Sequence, residues 1–249
     1  MKSSRIMRVF ENYVKQYDMN NVNVKMRYFH SLKVMEIARD LAIKTGYFNE
    51  EEIVVCELIG LFHEIANFDS VNSYRVNEQF EDDSLKTIDV LFKQGLIKDI
   101  TSNSNYNDII KTSILSYNKD DLPTDIDSKT RVFCKIIKDA HRIDMFRIAL
   151  NYPYFDMHID NFPSAMVYDQ FKLFRFINSK MTENDSDEVL AILSNVFALN
   201  LKYSYEILKE CNYINGVIDM LYFNDKKIET FFKQIGSVLN SYINRKIGG

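Results

Sequence analysis

Glycine and proline are scarce, at seven and three residues in a chain of 249. Hairpins, bulges and tight turns draw mostly on these two residues, so their shortage argues against a strand-rich fold and for long helices. Cysteine is equally sparse. Cys56, Cys134 and Cys211 are odd in number, widely spaced and form no Cys-x-x-Cys arrangement, so neither a disulfide framework nor a cysteine zinc site is indicated, and buried free thiols are expected. Basic charge is not in excess: the net charge is −4 and the pI near 5.7. No extended nucleic-acid surface is therefore expected, although the 31 Lys and Arg leave local basic clusters open. No apolar run approaches the ~20 residues of a membrane span. The segment from Met1 to Val14 interleaves Lys2, Arg5, Arg8 and Glu11 with apolar residues and lacks a signal-peptide core. The expected compartment is the reducing cytoplasm, with no membrane partner.

What is present is helical periodicity. Hydrophobic residues make up 46% of the chain, ample for a sizeable core. Ile6, Val9, Phe10, Tyr13 and Val14 mark an amphipathic helix over residues 4–17. A second helix, from about Val24 to Thr45, aligns His30 with Val34, Ile37, Ala38 and Leu41 and ends at Gly46. Asn49 followed by Glu50, Glu51 and Glu52 starts a third, which runs through an apolar stretch to His63 and Glu64. Residues 69–83 read as a loop, Ser84 to Gln94 as a helix stopping at Gly95, Asn107 to Tyr117 as a short helix, and Asn118 to Thr130 as a loop. A long helix over Lys129 to Asn151 carries His141 near its apolar face. Tyr152 to Ser164, with Pro153, Pro163 and His158, reads as a loop or flap. Further helices are expected at about Ala165 to Lys180, Asp185 to Cys211 and Asp225 to Lys246, with a shorter piece from Tyr213 to Tyr222. With no internal repeat or low-complexity linker, the simplest organisation is one all-α domain over residues 1–249. The 18 Phe and 15 Tyr, lacking a basic stripe beside them, read as core rather than as base-stacking platforms.

Three of the four histidines fall in distinctive settings: His30 in Arg-Tyr-Phe-His-Ser-Leu, His63 in Leu-Phe-His-Glu-Ile-Ala and His141 in Lys-Asp-Ala-His-Arg-Ile-Asp. Only a helical bundle with converging faces could bring them together with Glu64. Taken singly, each is more simply a hydrogen-bonded core histidine; jointly, they suggest a ligand set. Their spacing resembles that of the HD superfamily of metal-dependent phosphohydrolases, whose pattern is a His, a His-Asp pair and a distant Asp. The resemblance covers roughly Arg27 to Phe146. Leu58 to Phe68 looks like the family's apolar helix, His-Asp and Ile-Gly-x-Phe passage, with Glu64 for Asp and Ala66 for Gly. Lys138 to Asp144 is similar to the Asp-Ala-Asp-(Lys/Arg)-Leu-Asp passage, with His141 in place of the ligand Asp. Members with extra site histidines often carry them in the segments matching Ser84-Leu85-Lys86-Thr87 and Ser116-Tyr117-Asn118-Lys119. This chain offers Lys86 or Thr87 and Tyr117 there, which argues against a two-metal centre.

The resemblance implies an HD-domain-like helical bundle over about residues 24–150, with a C-terminal helical extension over about residues 164–247. It implies His30, His63, Glu64 and His141 as ligands of one divalent transition metal, Mn, Fe, Co, Ni or Zn, that activates water and polarises a phosphate. The expected activity is hydrolysis of a nucleotide or other small phosphate ester; the alternative is an impaired HD scaffold acting as a ligand-binding or protein-interaction module. With neutral imidazoles the shell carries one negative charge, where two His and two Asp would carry two. That weakens its hold on any divalent ion and penalises nitrogen-preferring metals least. Glu64 and Asp144 are the expected catalytic residues. Asp144 is expected either to orient His141 or to form an ion pair with Arg147 or Lys138. Arg27, Lys86, Lys119 and Arg142 are candidate phosphate-binding cations, as is Lys33, though each is individually more simply a solvated side chain. His158 fits no motif and is expected in surface or loop packing, with substrate contact from the flap as the other option. Substrate identity and oligomeric state are left open by the sequence.

Overall fold

The first helix, α1 (Ser3–Val14), buries the stripe Ile6, Val9, Phe10 and Val14, the period-3.6 face its sequence spells out. In the computed structural model, which describes residues 2–69, 83–119, 121–151 and 158–249, the described chain is predominantly helical. The described residues up to His141 form one compact unit and those from Arg142 onward a second. No helix among the described residues is long and apolar enough to cross a membrane. The expected loop over residues 70–82 and the first part of the expected flap, residues 152–157, lie outside the described residues.

In the first unit, α2 (Val22–Thr45) is capped by the Asn21 side chain, which accepts from the Asn23 and Val24 amides, and is stopped by Gly46 at φ 67°. A left-handed residue costs glycine nothing, and it turns the chain at once into α3 (Glu50–Phe62). There Asn49 and Glu52 form a reciprocal capping box. The two helices pack along each other as a hairpin around Val34, Leu41, Leu58 and Leu61. They approach closely at Gly60, where an added Cβ would lie 2.8 Å from the Cα of Met35. After α3, a 3-10 turn covers Ile65–Phe68. Next come α4 (Ser84–Ile88), a π-helical turn over Asp89–Lys93, α5 (Leu96–Ile100), which the sequence reading missed, and α6 (Asn107–Ser116).

Helix α7 (Ser128–Asn151) begins in the first unit. Its early residues are tied down by the Lys129–Glu52 ion pair, by Phe133 against Phe48 at 4.5 Å between ring centroids, and by Cys134 against the Ser113 hydroxyl. Cys56 and Cys134 are buried free thiols as expected, whereas Cys211 is exposed at the end of its helix.

The second unit departs from the sequence reading in where its helices break. The expected helix over residues 165–180 ends early: α8 (Ala165–Lys172) stops where Phe174 takes a left-handed φ of 55° and stacks on Tyr242, and a short 3-10 turn follows at Ser179–Met181. The expected helix over residues 185–211 is two helices, α9 (Asp185–Leu193) and α10 (Lys202–Glu210). Side chains end α9. Ser194 donates to the Ala191 carbonyl at 2.7 Å and accepts from the Ile177 amide, and Asn195 donates to the Ile192 carbonyl at 2.9 Å. Those bonds satisfy last-turn carbonyls that a continuing helix would have used, and a 3-10 turn follows over Ser194–Ala198. Helix α11 (Tyr213–Asp219) and the long α12 (Lys226–Gly248) complete the unit. A two-residue strand β1 (His158–Ile159) pairs in parallel with β2 (Tyr222–Phe223). His158 is thus an exposed strand residue stacked on Tyr222.

The Gly60 contact yields a directional prediction. Gly60→Ala gains helix propensity worth about 1 kcal/mol, but its methyl group meets backbone that cannot rotate away, an overpacking cost of about 1–3 kcal/mol. A lower denaturant midpoint is expected. A raised midpoint would show that α2 and α3 can separate at this point without loss.

Candidate metal centre

Each candidate ligand is delivered by a different local device. His30 lies mid-way along α2, fully buried, on the face that meets α3. His63 is the residue at which α3 ends, also fully buried. Its Nδ1 lies 2.8 Å from the Gly60 carbonyl, which can only accept, so Nδ1 carries the proton and the Nε2 lone pair points the other way. Glu64 leaves the helical conformation at φ −125° and ψ 27°, which redirects its side chain toward His63's neighbours. His141 reaches in from α7, again within the first unit.

The four converge. His30 Nε2 and His63 Nε2 are 3.3 Å apart. His141 Nε2 stands 3.3 Å from Glu64 Oε1, His63 Nε2 is 3.8 Å from the same oxygen, and His30 Nε2 is 3.9 Å from Oε2. One ligand atom from each residue falls within 4.8 Å of all the others. Donors bound at about 2.1 Å around a tetrahedral ion stand about 3.4 Å from one another. The observed separations therefore fit a single ion with three nitrogens and one oxygen, a donor set suited to Mn, Fe, Co, Ni or Zn and poorly suited to Ca or Mg.

Electrostatics points the same way. Burial lowers the His63 imidazole to a pKa of about 3, outweighing the attraction of Glu64, so His63 is neutral and free to coordinate. Burial alone would raise Glu64, but the hydrogen bond from His141 and the attraction of the three imidazoles hold its carboxyl well below the ordinary range. Glu64 is an anion in a buried site. Such a charge is costly unless paired, and a cation among these four groups would pair it.

The other sequence candidates are placed as follows. Arg27 is buried on α2, one turn before His30. Lys86 is exposed and paired with Asp83 at 2.7 Å, Lys33 pairs with Glu36 at 3.0 Å, and Lys119 is exposed, its carbonyl accepting from the Lys138 ammonium. Arg142 belongs to the second unit, where its guanidinium donates to Asn195 at 3.0 Å and lies over the Phe176 ring at 4.3 Å. Asp144 is fully buried and takes both arms of the Arg147 guanidinium, one at 2.8 Å. A further residue joins the cluster. Tyr117, just past α6, donates its hydroxyl to Glu64 Oε1 at 3.1 Å and sets its ring edge-on to His63 and His141.

An all-α unit with a largely buried cluster of three histidines and one carboxylate has the donor set of a helical metal site. Comparison with protein families matches residues 27–145 to the HD domain. No curated protein and no solved structure gives a significant match. Residues 27–145 thus match the HD domain, which characterises a superfamily of metal-dependent phosphohydrolases.

Two outcomes follow for the isolated protein. A divalent transition metal at a hundred times its dissociation constant is expected to stabilise the fold by about 2.7 kcal/mol, a rise of several degrees in melting temperature. His63→Ala should abolish that rise, and a rise that survives in the variant places the ion elsewhere. In the presence of chelator, unfolding takes up a proton on His63 wherever the pH lies below its ordinary 6.5 and above the folded value of about 3. Stability should fall as pH drops through that window, with Glu64 adding in the same direction at its acid end. A urea midpoint that stays constant across the window would show that His63 is not held neutral.

Proposed function

We propose that the protein is a metal-dependent phosphohydrolase acting on a nucleotide or other small phosphate ester through a single divalent transition-metal ion. The observation that carries this reading is the convergence of His30, His63, Glu64 and His141 inside an HD domain. When bound, the ion supplies Lewis-acid polarisation of a phosphate oxygen and acidifies water. The chain's residues supply the rest. His30, His63 and His141 supply the nitrogens, that of His63 neutral, and Glu64, the ionised acid of the cluster, both holds the cation and is the group we assign to accept a proton from the attacking water. Arg27, buried one turn from His30, is the cation we assign to the substrate phosphate, with Lys86 and Lys119 as exposed cations of the same unit that could help draw it in. Asp144, held by Arg147, is a positioning residue of α7 rather than a group that touches substrate.

A second reading has its own support. The shell carries one carboxylate where the family pattern has two, and Glu64 extends one methylene beyond Asp, a displacement on the scale of about 1 Å to which catalytic geometry is sensitive. In this reading the HD scaffold binds a phosphorylated ligand or a protein partner without turning it over.

One set of measurements separates the two. Protein purified without chelator is expected to contain about one transition-metal ion per chain and to hydrolyse phosphate esters in a screen with Mn, Co or Ni. His63→Ala should remove both properties. Glu64→Asp combined with His141→Asp is expected to lower turnover if the native residues are tuned to their metal; a large gain in turnover would instead establish the second reading. Absence of metal together with absence of any His63-dependent turnover sinks the hydrolase assignment.

A further inference from the structure

We propose that Tyr117 is the positioning residue that makes Glu64 a competent metal ligand, the two side chains working as a pair. This rests on the metal-binding reading above and extends it to a residue outside the ligand set.

Glutamate has one more rotatable bond than aspartate, and its terminal torsion is broad and roughly two-fold rather than confined to three wells. Ordering it is among the larger side-chain entropy losses. A glutamate in a metal shell therefore binds weakly unless something already holds its carboxylate in place. Tyr117 does this. Its hydroxyl donates to Glu64 Oε1 at 3.1 Å, and the residue is buried at 5% exposure. Its ring stands at 88° to His63 with centroids 4.9 Å apart and at 67° to His141 with centroids 5.0 Å apart. Flanked by two imidazoles, the phenol has little room to swing, so its hydroxyl is a fixed donor. The bond occupies one lone pair of Oε1 and leaves Oε2 and the remaining pair for coordination.

The segment bearing Tyr117 is fixed in turn. Lys138, buried on α7 one turn before His141, donates to the Lys119 carbonyl, and the Lys119 amide bonds back to Ser116 at 3.2 Å. The helix that supplies His141 thereby also anchors the chain that supplies Tyr117. A shorter acid at position 64 would draw its carboxylate back by one C–C bond of about 1.5 Å, out of hydrogen-bond reach of the phenol. Glu64 and Tyr117 are matched to each other, and the extra methylene is what lets the carboxylate meet both the phenol and the imidazoles.

The test is a double-mutant cycle read as affinity for Zn or Co by calorimetry, using the full chain. Tyr117→Phe keeps the ring and removes the hydroxyl. In the native background it is expected to weaken metal binding by about 10–100-fold, with the melting temperature of the metal-free protein little changed. In the Glu64→Asp background the same substitution should cost almost nothing, so the two effects are non-additive. A merely structural tyrosine would give the same loss in both backgrounds, and that result, or no loss in either, overturns the proposal while leaving the metal site standing. A phenolate-to-Fe(III) charge-transfer band in iron-loaded protein would also overturn it, by making Tyr117 a ligand. If the unmodified protein binds no metal, the metal-binding reading fails and this inference falls with it.

Discussion

The site depends first on how near α2 and α3 can come. His30 and His63 sit on two different helices, and their imidazoles face each other at 3.3 Å only because the helix axes close together at Gly60. Gly60 contributes twice. Its missing side chain admits the backbone of Met35, and its carbonyl accepts the Nδ1 proton that fixes the His63 ring. Close packing and ligand orientation thus meet in one residue of α3, and the apolar residues around it, Leu58, Leu61 and Val34, hold the contact shut.

Upon that contact rests an electrostatic arrangement that is unfavourable without a cation. Three imidazoles and one carboxylate are gathered where water is largely excluded. Burial keeps His63 neutral, and the imidazoles keep Glu64 ionised. The nitrogens offer lone pairs toward a common point and the carboxylate offers charge. Compared with a shell of two imidazoles and two carboxylates, this donor set offers less Coulomb attraction and one more nitrogen.

Much of this was legible in the sequence because the signals were local. Gly46 and the Asn49–Glu52 box mark the turn between α2 and α3, and the apolar period places His30 and His141 on buried faces. What escaped was set by contacts between distant residues. The break in the expected helix over residues 185–211 comes from Ser194 and Asn195 bonding back to α9 and forward to Ile177, while apolar spacing runs on across it. Arg142 stands beside His141 in sequence, and its contacts with Asn195 and Phe176 join it to residues far along the chain. Tyr117 stands where members with extra site histidines carry one, and nothing local in the sequence links its hydroxyl to Glu64, 53 residues away.

The ligands are spread along the chain from residue 30 to residue 141. An ion that joins them is a topological staple as well as a cofactor, since it ties α2, the end of α3 and the middle of α7 at one point. Cross-links that close long loops remove the most freedom from the unfolded chain, and that freedom grows with the logarithm of loop length. Release of such an ion would therefore act on the conformational entropy of most of the first unit at once. A bound ion would thus order three helices, and not only the side chains in the shell.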